Sequence, residues 1–260
     1  MVGTVEILPL PGIPLIREGD DLTALVLAAI TRAGTALAPG DVLVLAQKIV
    51  SKAEGRLVPL DGVKVGAEAA ALAAETGKDP RLVQLILDES TTVVRKRAGT
   101  PERPGVIVVE HRCGWVHANA GIDQSNLEGE AGASALLLPL DTDASAARLR
   151  AALGDATGVH PGVVVSDSAG RAWRVGTVGI ALGSAGVEAV QDLRGAPDLV
   201  GRTLEVTVVG RADEIAAAAG LVMGQAGEAL PAVLIRGLAP YDGEATAAEL
   251  VRPAREDLFR

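Results

Sequence analysis

Apolar residues occur along the chain in two spacings, which separate predicted strands from predicted helices. Residues 42–46, 163–166 and 232–236 are short, almost wholly apolar runs, typical of strands buried on both faces of a sheet. Between residues 22 and 32, apolar side chains recur three and four positions apart, which predicts an amphipathic helix. Further helices are predicted at 63–76, 80–89, 144–154 and 212–223. Further strands are predicted at 5–10, 91–94, 106–110 and 204–209, and less regular apolar elements at 132–138 and 175–182.

The order of these elements predicts the fold class. Strands and helices intermingle without the regular alternation of a parallel α/β fold. We therefore predict an α+β protein with mixed sheets, interspersed helices and two interlocked subdomains. Residues 1–260 form one domain in this interpretation, with a boundary between lobes near residues 141–161. Asp143 is the predicted N-cap of the helix at 144–154.

Composition restricts both the core and the partners. Hydrophobic residues make up 48% of the 260 residues but aromatic residues only 2%, so the core must be built from aliphatic side chains. Stacking platforms for single-stranded nucleic acid need aromatic residues, and a duplex-binding surface needs positive charge. The chain has a formal net charge of −9. Nucleic acid is therefore not an expected partner.

Cysteine content and the N-terminal sequence bear on the cellular compartment. A single cysteine, Cys113, excludes an internal disulfide framework and a cysteine-based zinc site. The first residues show no basic segment followed by an apolar one, which a secretory signal peptide requires. The apolar stretch at 131–140 is too short to cross a bilayer. We expect a cytoplasmic protein without membrane association.

Two acidic segments, at 121–126 and 166–171, are the strongest candidates for chemistry. Each follows an apolar run and places an aspartate, Asp123 or Asp167, beside hydroxyl side chains and a glycine, which predicts a turn. Carboxylate and hydroxyl oxygens are hard ligands suited to Mg²⁺ or Mn²⁺. Two such turns that converge can hold metal ions and a nucleotide polyphosphate. Either aspartate alone is more often a turn residue that accepts hydrogen bonds from local backbone amides.

Lysines and arginines supply candidate contacts for an anionic ligand. Lys48 and Lys52 flank Ser51 directly after the strand predicted at 42–46, where their ammonium groups would suit phosphate oxygens. The alternative is that they lie on the exposed start of a helix. Since the protein is acidic, an anionic ligand needs local positive charge. The candidates for this charge are Lys52, Arg95, Arg97, Arg171 and Arg174.

Familiar nucleotide and metal motifs are missing from the sequence. It contains no G-x-x-x-x-G-K-[S/T] loop and no G-x-G-x-x-G after a predicted strand, so a nucleotide would need a non-Walker site. His111, His117 and His160 lack the spacing of known metal motifs, and we interpret them as structural or surface residues.

Two glycine-containing loops are further candidates for contact with a nucleotide. At residues 11–14, Pro-Gly-Ile-Pro, two prolines fix φ and give a rigid backbone shelf, although most such sequences are simple turns. Residues 223–228 follow the Ala-rich helix at 212–223. A glycine C-cap followed by a surface loop is the ordinary interpretation there.

Taken together, these motifs carry a resemblance to a known family. Each motif is short, but their number and order make the match specific. The chain resembles the GTP-dependent ligases that add L-glutamate to the precursor of the deazaflavin coenzyme F420, and the resemblance covers nearly the whole chain. The segments that carry it are Leu8–Pro14, Gln47–Gly55, Ile86–Ser90, the two acidic segments and Gly220–Gln225.

The resemblance implies an enzyme that forms an amide bond at the expense of GTP. The terminal carboxylate of the precursor F420-0 would attack the γ-phosphate to give an acyl phosphate, and the amine of L-glutamate would then displace phosphate. The implied cofactors are GTP as co-substrate and two Mg²⁺ or Mn²⁺ ions, with K⁺ as a further candidate. A homodimer is also implied, for which the segments 132–138 and 175–182 offer apolar surface unless they form core.

The resemblance also implies roles for individual residues. The catalytic residues would be Asp123, Asp167 and Lys52. The metal ligands would be Asp123, Asp167, Ser168 and Gln225, with Glu228 as an alternative to Gln225. The GTP-binding residues would be Pro11, Gly12, Ile13, Pro14, Gln47, Lys48, Lys52, Asn126, Met223, Gly224, Gln225 and Glu228.

Two other functions stay open at this point. A non-catalytic protein that binds a nucleotide or a deazaflavin could use the same scaffold, and the neutral Gln225 in place of an acid would favour it. A metal-dependent phosphohydrolase could use the same aspartates. Release of GDP with and without L-glutamate separates the ligase from both.

Overall fold

The computed structural model describes residues 3–125, 127 and 133–258. In these residues the α-helices are α1 (Leu22–Arg32), α2 (Gln47–Ala53), α3 (Ala67–Thr76), α4 (Pro80–Asp88), α5 (Thr142–Thr157) and α6 (Arg211–Met223). The strands are β1 (Glu6–Pro9), β2 (Val42–Ala46), β3 (Leu57–Pro59), β4 (Ser90–Arg97), β5 (Val106–His111), β6 (Val116–Ala118), β7 (Ser134–Leu136), β8 (Gly162–Gly170), β9 (Thr177–Ala185), β10 (Gln191–Asp192), β11 (Val208–Val209) and β12 (Ala232–Arg236). Short 3₁₀ helices occupy Leu60–Gly62, Asn119–Gly121, Ala247–Leu250 and Ala254–Glu256. The predicted mixed α+β class is confirmed.

The central sheet has the strand order β1-β12-β2-β8-β9. β2 and β8 run parallel, and the other neighbours pair antiparallel. Every residue of β2 and β12 except the last is buried, as expected for strands covered on both faces. In the register of β2 with β8, Ala46 lies opposite Ser166. The end of β2 therefore lies beside the part of β8 that carries the second acidic segment.

Side chains alternate between the two faces of this sheet, and each face is covered by its own helices. On one face, Leu43 and Leu45 of β2 lie in a buried cluster with side chains of α1 and α5. On the other face, Val42 and Val44 share a cluster with Ala216 and further residues of α6. The wholly apolar sequence of β2 follows from this double cover. None of the described helices combines the length and apolar character needed to cross a membrane.

A second lobe has a core of its own. Here α3 and α4 pack with the antiparallel sheet β4-β5-β6, whose buried residues include Ile107 and Val109. α4 contributes an apolar face that includes Val83 and Ile86. Ala135 of β7 belongs to the same core, and β7 pairs with β3. This lobe contains the first acidic segment.

The apolar segments predicted at 132–138 and 175–182 are buried to different extents. Residue 132 lies outside the described residues, but the side chains from Ala135 to Leu138 are buried. In the second segment, Ala181 and Leu182 are buried in β9. Val175, at the start of this segment, is fully exposed. The stretch 135–138 is therefore core, whereas the second segment is buried only at its end.

The second acidic segment, predicted as a turn at 166–171, lies in an extended hairpin. β8 continues to Gly170 and pairs with β9 from Ser166 opposite Ala181 to Gly170 opposite Thr177. This pairing satisfies the backbone amides and carbonyls that face β9, so the Ser-Asp-Ser sequence stays extended. Asp167 is a strand residue, and the connection between the strands lies at 171–176.

The helix predicted to start after Asp143 begins earlier. α5 starts at Thr142, and its N-cap is Asp141, whose Oδ1 accepts a hydrogen bond of 2.9 Å from the amide of Ala144. Asp143 accepts hydrogen bonds of 2.8 and 2.9 Å from the amides of Ser184 and Ala247 instead. Its carboxylate thus joins α5 to β9. α5 fills most of the segment in which a lobe boundary was predicted, and that boundary stays a prediction.

Candidate active site

A cavity of about 430 Å³ lies where β2 ends beside β8. Ala46 and Ser166, which are neighbours across these strands, both line it. Loops beyond the carboxyl ends of parallel strands are a common place for ligand binding. The wall is completed by the start of α2, by the end of α6 with the loop at 224–231, and by residues 13–16.

The first turns of α2 bring polar side chains to this cavity. Gln47 is buried, and its Oε1 accepts a hydrogen bond of 2.8 Å from the hydroxyl of Ser51. Its Nε2 is also buried and has no hydrogen-bond partner among the described residues. A buried donor of this kind is costly unless a ligand accepts from it. Lys48 and Lys52, one turn apart, line the same wall, so α2 supplies amide and ammonium donors to a ligand.

Asp123 reaches the cavity from the second lobe. Its backbone exchanges hydrogen bonds of 3.0 and 2.8 Å with Leu136, which fix its position. Nζ of Lys48 lies 2.6 Å from Oδ2 of Asp123 and 2.8 Å from the hydroxyl of Ser125. Partial burial acts to raise the pKa of Asp123, but hydrogen bonds from Lys48 and from the amide of Ser125 outweigh it, and the pKa lies below its usual value. Asp123 is therefore held as a carboxylate.

The surroundings of Asp167 shift its pKa in the direction opposite to that of Asp123. Only 16% of its side chain is exposed. Burial raises the pKa of its carboxyl, and the nearby charge of Asp123 adds to the rise, while His117 and the amide of Ser168 oppose it only in part. That amide donates to Oδ1 of Asp167 over 2.8 Å. A cation beside Asp167 would stabilise its charged form.

His117 is a neighbour of the site that no sequence motif indicated. It lies on β6, and its Nε2 is 3.9 Å from Oδ2 of Asp167. Its Nδ1 is 3.1 Å from the carbonyl oxygen of Ala118. Nε2 is buried and lacks a hydrogen-bond partner in the part of the chain that the structure describes. His117 on β6 and Asp167 on β8 are far apart in the sequence, so local spacing carried no signal for their proximity.

The loop after α6 forms the outer rim of the cavity. Met223, Gly224, Gln225 and Glu228 all line it. Oε2 of Glu228 accepts a hydrogen bond of 2.8 Å from the amide of Ala226, and such bonds lower the pKa of Glu228. Glu228 is thus engaged with the backbone of its own loop. Gln225 is exposed to solvent at the rim.

The predicted nucleotide loop near the N-terminus is divided between two roles. Ile13 and Pro14 line the cavity, whereas Pro11 and Gly12 are not among the described residues that do so. The carbonyl oxygens of Pro11 and Gly12 accept hydrogen bonds of 2.8 and 3.2 Å from Nη1 of Arg32. Gly12 has a φ of 76°, and a Cβ there would meet Nη1 of Arg32 at 2.7 Å. Pro11 and Gly12 therefore anchor the loop to α1.

Four predicted arginines do not line the cavity. Arg95 and Arg97 are exposed on β4 and do not line the cavity. Arg171 and Arg174 lie in the connection between β8 and β9. Asn126, predicted to bind GTP, lies outside the described residues.

A sequence model of the family described as F420-0:Gamma-glutamyl ligase matches residues 12–237. The chain belongs to this family. It is 44% identical to the protein named Coenzyme F420:L-glutamate ligase from Methanothermobacter thermautotrophicus, over 98% of this chain and 99% of the relative. Relatives of the same name from Methanopyrus kandleri (42% identical, 99% and 98% covered) and Archaeoglobus fulgidus (43% identical, 98% and 96% covered) are similar along their length.

This member of the F420-0:gamma-glutamyl ligase family offers oxygen donors that fit a hard metal ion. Asp123, Asp167, Ser168 and Gln225 all line the cavity. Carboxylate, hydroxyl and amide oxygens are the ligands that Mg²⁺ and Mn²⁺ prefer. Among the described residues, no three His, Cys, Asp or Glu side chains are placed to hold a metal by themselves. A metal ion at this site would therefore need further oxygen ligands beyond the carboxylates.

Proposed function

We propose that this protein joins L-glutamate to F420-0 through an amide bond and uses GTP to drive the reaction. The observation that carries the proposal is the presence of Asp123 from one lobe and Asp167 from the other in a single cavity, together with Lys48 and Lys52. Carboxylates that bind metal ions, combined with ammonium groups that bind phosphate, suit phosphoryl transfer. Relatives that match almost the whole chain are named Coenzyme F420:L-glutamate ligase.

Amide formation from a free carboxylate needs an activated acyl group, because an amine does not displace oxide from a carboxylate. In the proposed reaction, a carboxylate oxygen of F420-0 attacks the γ-phosphorus of GTP. The bond between that phosphorus and the bridging oxygen breaks, and GDP leaves. The amine of L-glutamate then attacks the acyl carbon, the bond from carbon to the phosphate oxygen breaks, and the nitrogen loses a proton. The products are the amide, GDP and phosphate.

Phosphate binding falls to α2 in this proposal. Lys52 supplies a compact positive charge suited to phosphate oxygens. Nε2 of Gln47, buried and without a hydrogen-bond partner among the described residues, is a second donor. Lys48 joins the two lobes through its contacts with Asp123 and Ser125. These contacts hold the carboxylates and the phosphate-binding wall in a fixed relation, which favours transfer by positioning.

Metal binding is assigned to the acidic side of the cavity. Asp123 and Asp167 are the proposed ligands of one ion, and Ser168 and Gln225 of a second, with K⁺ as a further candidate cation. Mg²⁺ or Mn²⁺ bound there would neutralise charge on the phosphate oxygens during transfer. Burial disfavours the charged form of Asp167, as its raised pKa indicates, so this carboxylate gains from a neighbouring cation.

We also propose that the protein is a cytoplasmic homodimer, as the family resemblance implies. Because Ala135 to Leu138 are buried, the interface would not use that stretch. Light scattering at micromolar concentration tests the dimer, and a monomeric mass would contradict it.

GDP release measured with and without L-glutamate tests the proposed reaction. With F420-0 and Mn²⁺ present, we expect release to depend on L-glutamate. Asp123→Asn should abolish release while the fold survives. Lys64→Ala is a matched control, because Lys64 is exposed and does not line the cavity. Release of phosphate without F420-0 or L-glutamate would indicate a phosphohydrolase, and nucleotide binding without turnover would indicate a binding protein.

A further inference from the structure

The hairpin of β8 and β9 continues beyond the cavity. Ser168 and Gly179 are paired across the hairpin, and both line the cavity wall. Only two further residue pairs, the last being Gly170 with Thr177, separate them from the connecting residues 171–176. These connecting residues, named here the hairpin tip, are therefore a direct continuation of the wall that carries Asp167.

The hairpin tip exposes an aromatic side chain in a protein that has very few. The sequence contains two tryptophans, one tyrosine and one phenylalanine. One of the tryptophans, Trp173, lies in the tip and is 85% exposed. Its φ of 63° lies in the left-handed region, which bulky residues rarely adopt. Exposed aromatic rings of this kind are suited to stacking against planar ligands.

Two arginines flank this ring. Arg174 makes no hydrogen bond or ion pair with any residue that the structure describes. Nη1 of Arg171 donates to the carbonyl oxygen of Gly176 over 3.2 Å, which leaves its charge without a carboxylate partner in the described chain. In a protein with a net charge of −9, two such cations close to Trp173 in the sequence supply local positive charge suited to an anionic ligand.

The length of the hairpin fits the shape of the proposed acceptor. F420-0 joins a planar deazaflavin ring to a terminal carboxylate through a polyol chain and a phosphodiester. With a rise of about 3.3 Å per residue, the three residues from Asp167 to Gly170 span about 10 Å, and the tip extends further. An acceptor whose carboxylate lies near Asp167 can therefore place its ring at the tip.

We propose that the hairpin tip docks the ring end of the acceptor, with Trp173 stacked on the deazaflavin and Arg171 and Arg174 facing its phosphodiester. This inference rests on the proposed function and adds where the acceptor binds. The tip acts in acceptor affinity and not in GTP binding or phosphoryl transfer.

Steady-state kinetics of tip variants test this assignment. Loss of a stacked ring typically weakens binding by about tenfold or more. Trp173→Ala should therefore raise KM for F420-0 by about that factor, with little change in kcat and in affinity for GTP. Trp173→Phe, which keeps a ring, should restore most of the affinity.

Combined Arg171→Gln and Arg174→Gln should also raise KM for F420-0, and the increase should be larger at low salt than at high salt. Val175→Ala is the matched control, because Val175 is a fully exposed apolar residue of the same tip.

Fluorescence provides a readout that does not depend on turnover. F420-0 alone should quench the emission of Trp173 in the wild-type protein. In Trp173→Phe, Trp115 remains as the reporter and its emission should be little affected. Quenching in a protein that shows no ligation would support the docking site while contradicting the ligase proposal. Ligation with an unchanged KM in Trp173→Ala would overturn the docking site alone. A tip variant that becomes monomeric in light scattering while its KM for F420-0 is unchanged would assign the tip to a contact between copies of the chain and overturn the proposal.

Discussion

Nζ of Lys48 lies 2.6 Å from Oδ2 of Asp123, so a cation from one lobe and a carboxylate from the other neutralise each other inside the cavity. The pair holds the pKa of Asp123 below its usual value despite partial burial. Both side chains keep some contact with solvent, at 27% and 29% exposure. A metal ion bound to Asp123 would therefore share this carboxylate with Lys48, and each would affect the binding of the other.

Removal of Lys48 should tighten metal binding in the absence of nucleotide. Lys48→Ala frees Oδ2 of Asp123, and partly exposed ion pairs are worth about 1 kcal/mol, so we expect Mn²⁺ affinity to rise several-fold. Titration calorimetry of the nucleotide-free protein measures this. Lys64→Ala, outside the cavity, should bind Mn²⁺ like the wild type. Unchanged or weaker Mn²⁺ binding by Lys48→Ala would show that Asp123 does not ligate the ion.

Asp167→Asn should raise thermal stability at neutral pH. A raised pKa in the folded state means that ionisation of Asp167 opposes folding at pH values above that pKa. The effect is absent below the unfolded pKa of about 3.9, where both states are protonated. The variant should therefore melt above the wild type at pH 7, and the gap should close as pH falls below about 4. Melting curves of both proteins across this range, without metal, provide the measurement.

A second aspartate supplies the control for that experiment. The hydrogen bond from Arg194 lowers the pKa of Asp192 to about 2. This shift is opposite in direction to the pKa shift of Asp167. Asp192→Asn should gain no stability at neutral pH. Equal melting temperatures of Asp167→Asn and the wild type at pH 7 would contradict the buried, destabilising charge.

Lys52→Ala should weaken GTP binding much more than GMP binding. A phosphate-directed ammonium acts in proportion to the charge that it faces. Loss of a charged hydrogen bond should weaken GTP binding by about tenfold or more. Calorimetry with both nucleotides measures the difference. Equal losses for the two would place Lys52 away from the polyphosphate, and loss of affinity in Lys64→Ala as well would indicate a non-specific charge effect.

Gln225 should control the metal requirement if it ligates the second ion. A neutral amide is a weaker ligand than a carboxylate, so Gln225→Glu should tighten Mn²⁺ binding without GTP. Gln225→Ala should raise the Mn²⁺ concentration needed for half-maximal activity while GTP affinity largely remains. Glu228→Gln is the comparison that separates the two candidate ligands of this loop. Identical Mn²⁺ activation curves for wild type and both Gln225 variants would show that Gln225 does not ligate the metal.

The apolar strands were predictable because burial on both faces of a sheet requires an almost continuous run of apolar residues. β2 and β12 lie where the runs at 42–46 and 232–236 predicted them. Parallel pairing of β2 with β8 then brings Lys52 and Asp167, far apart in the chain, to the same cavity. Sequence motifs and the family resemblance indicated both segments, but only the pairing shows that they share a cavity.

Other features depend on tertiary context that local patterns do not contain. Ser166 to Gly170 has turn-forming residues, yet pairing with β9 keeps it extended. Aspartate is a common helix N-cap, yet the carboxylate of Asp143 accepts hydrogen bonds from the amides of Ser184 and Ala247. The N-cap of α5 is Asp141 instead. His117 reaches Asp167 only through the sheet of the second lobe. For Asp143 and His117 the deciding contacts come from distant parts of the chain, and for Ser166 to Gly170 they come from the next strand.

Mass spectrometry of the deazaflavin product tests the central claim most directly. The protein is incubated with F420-0, GTP, L-glutamate and Mn²⁺, and Asp123→Asn is incubated in parallel. We predict a product whose mass exceeds that of F420-0 by glutamate residues, formed with release of GDP and phosphate, and no such product from the variant. An unchanged F420-0 mass in the presence of a folded, GTP-binding wild-type protein would contradict the ligase function.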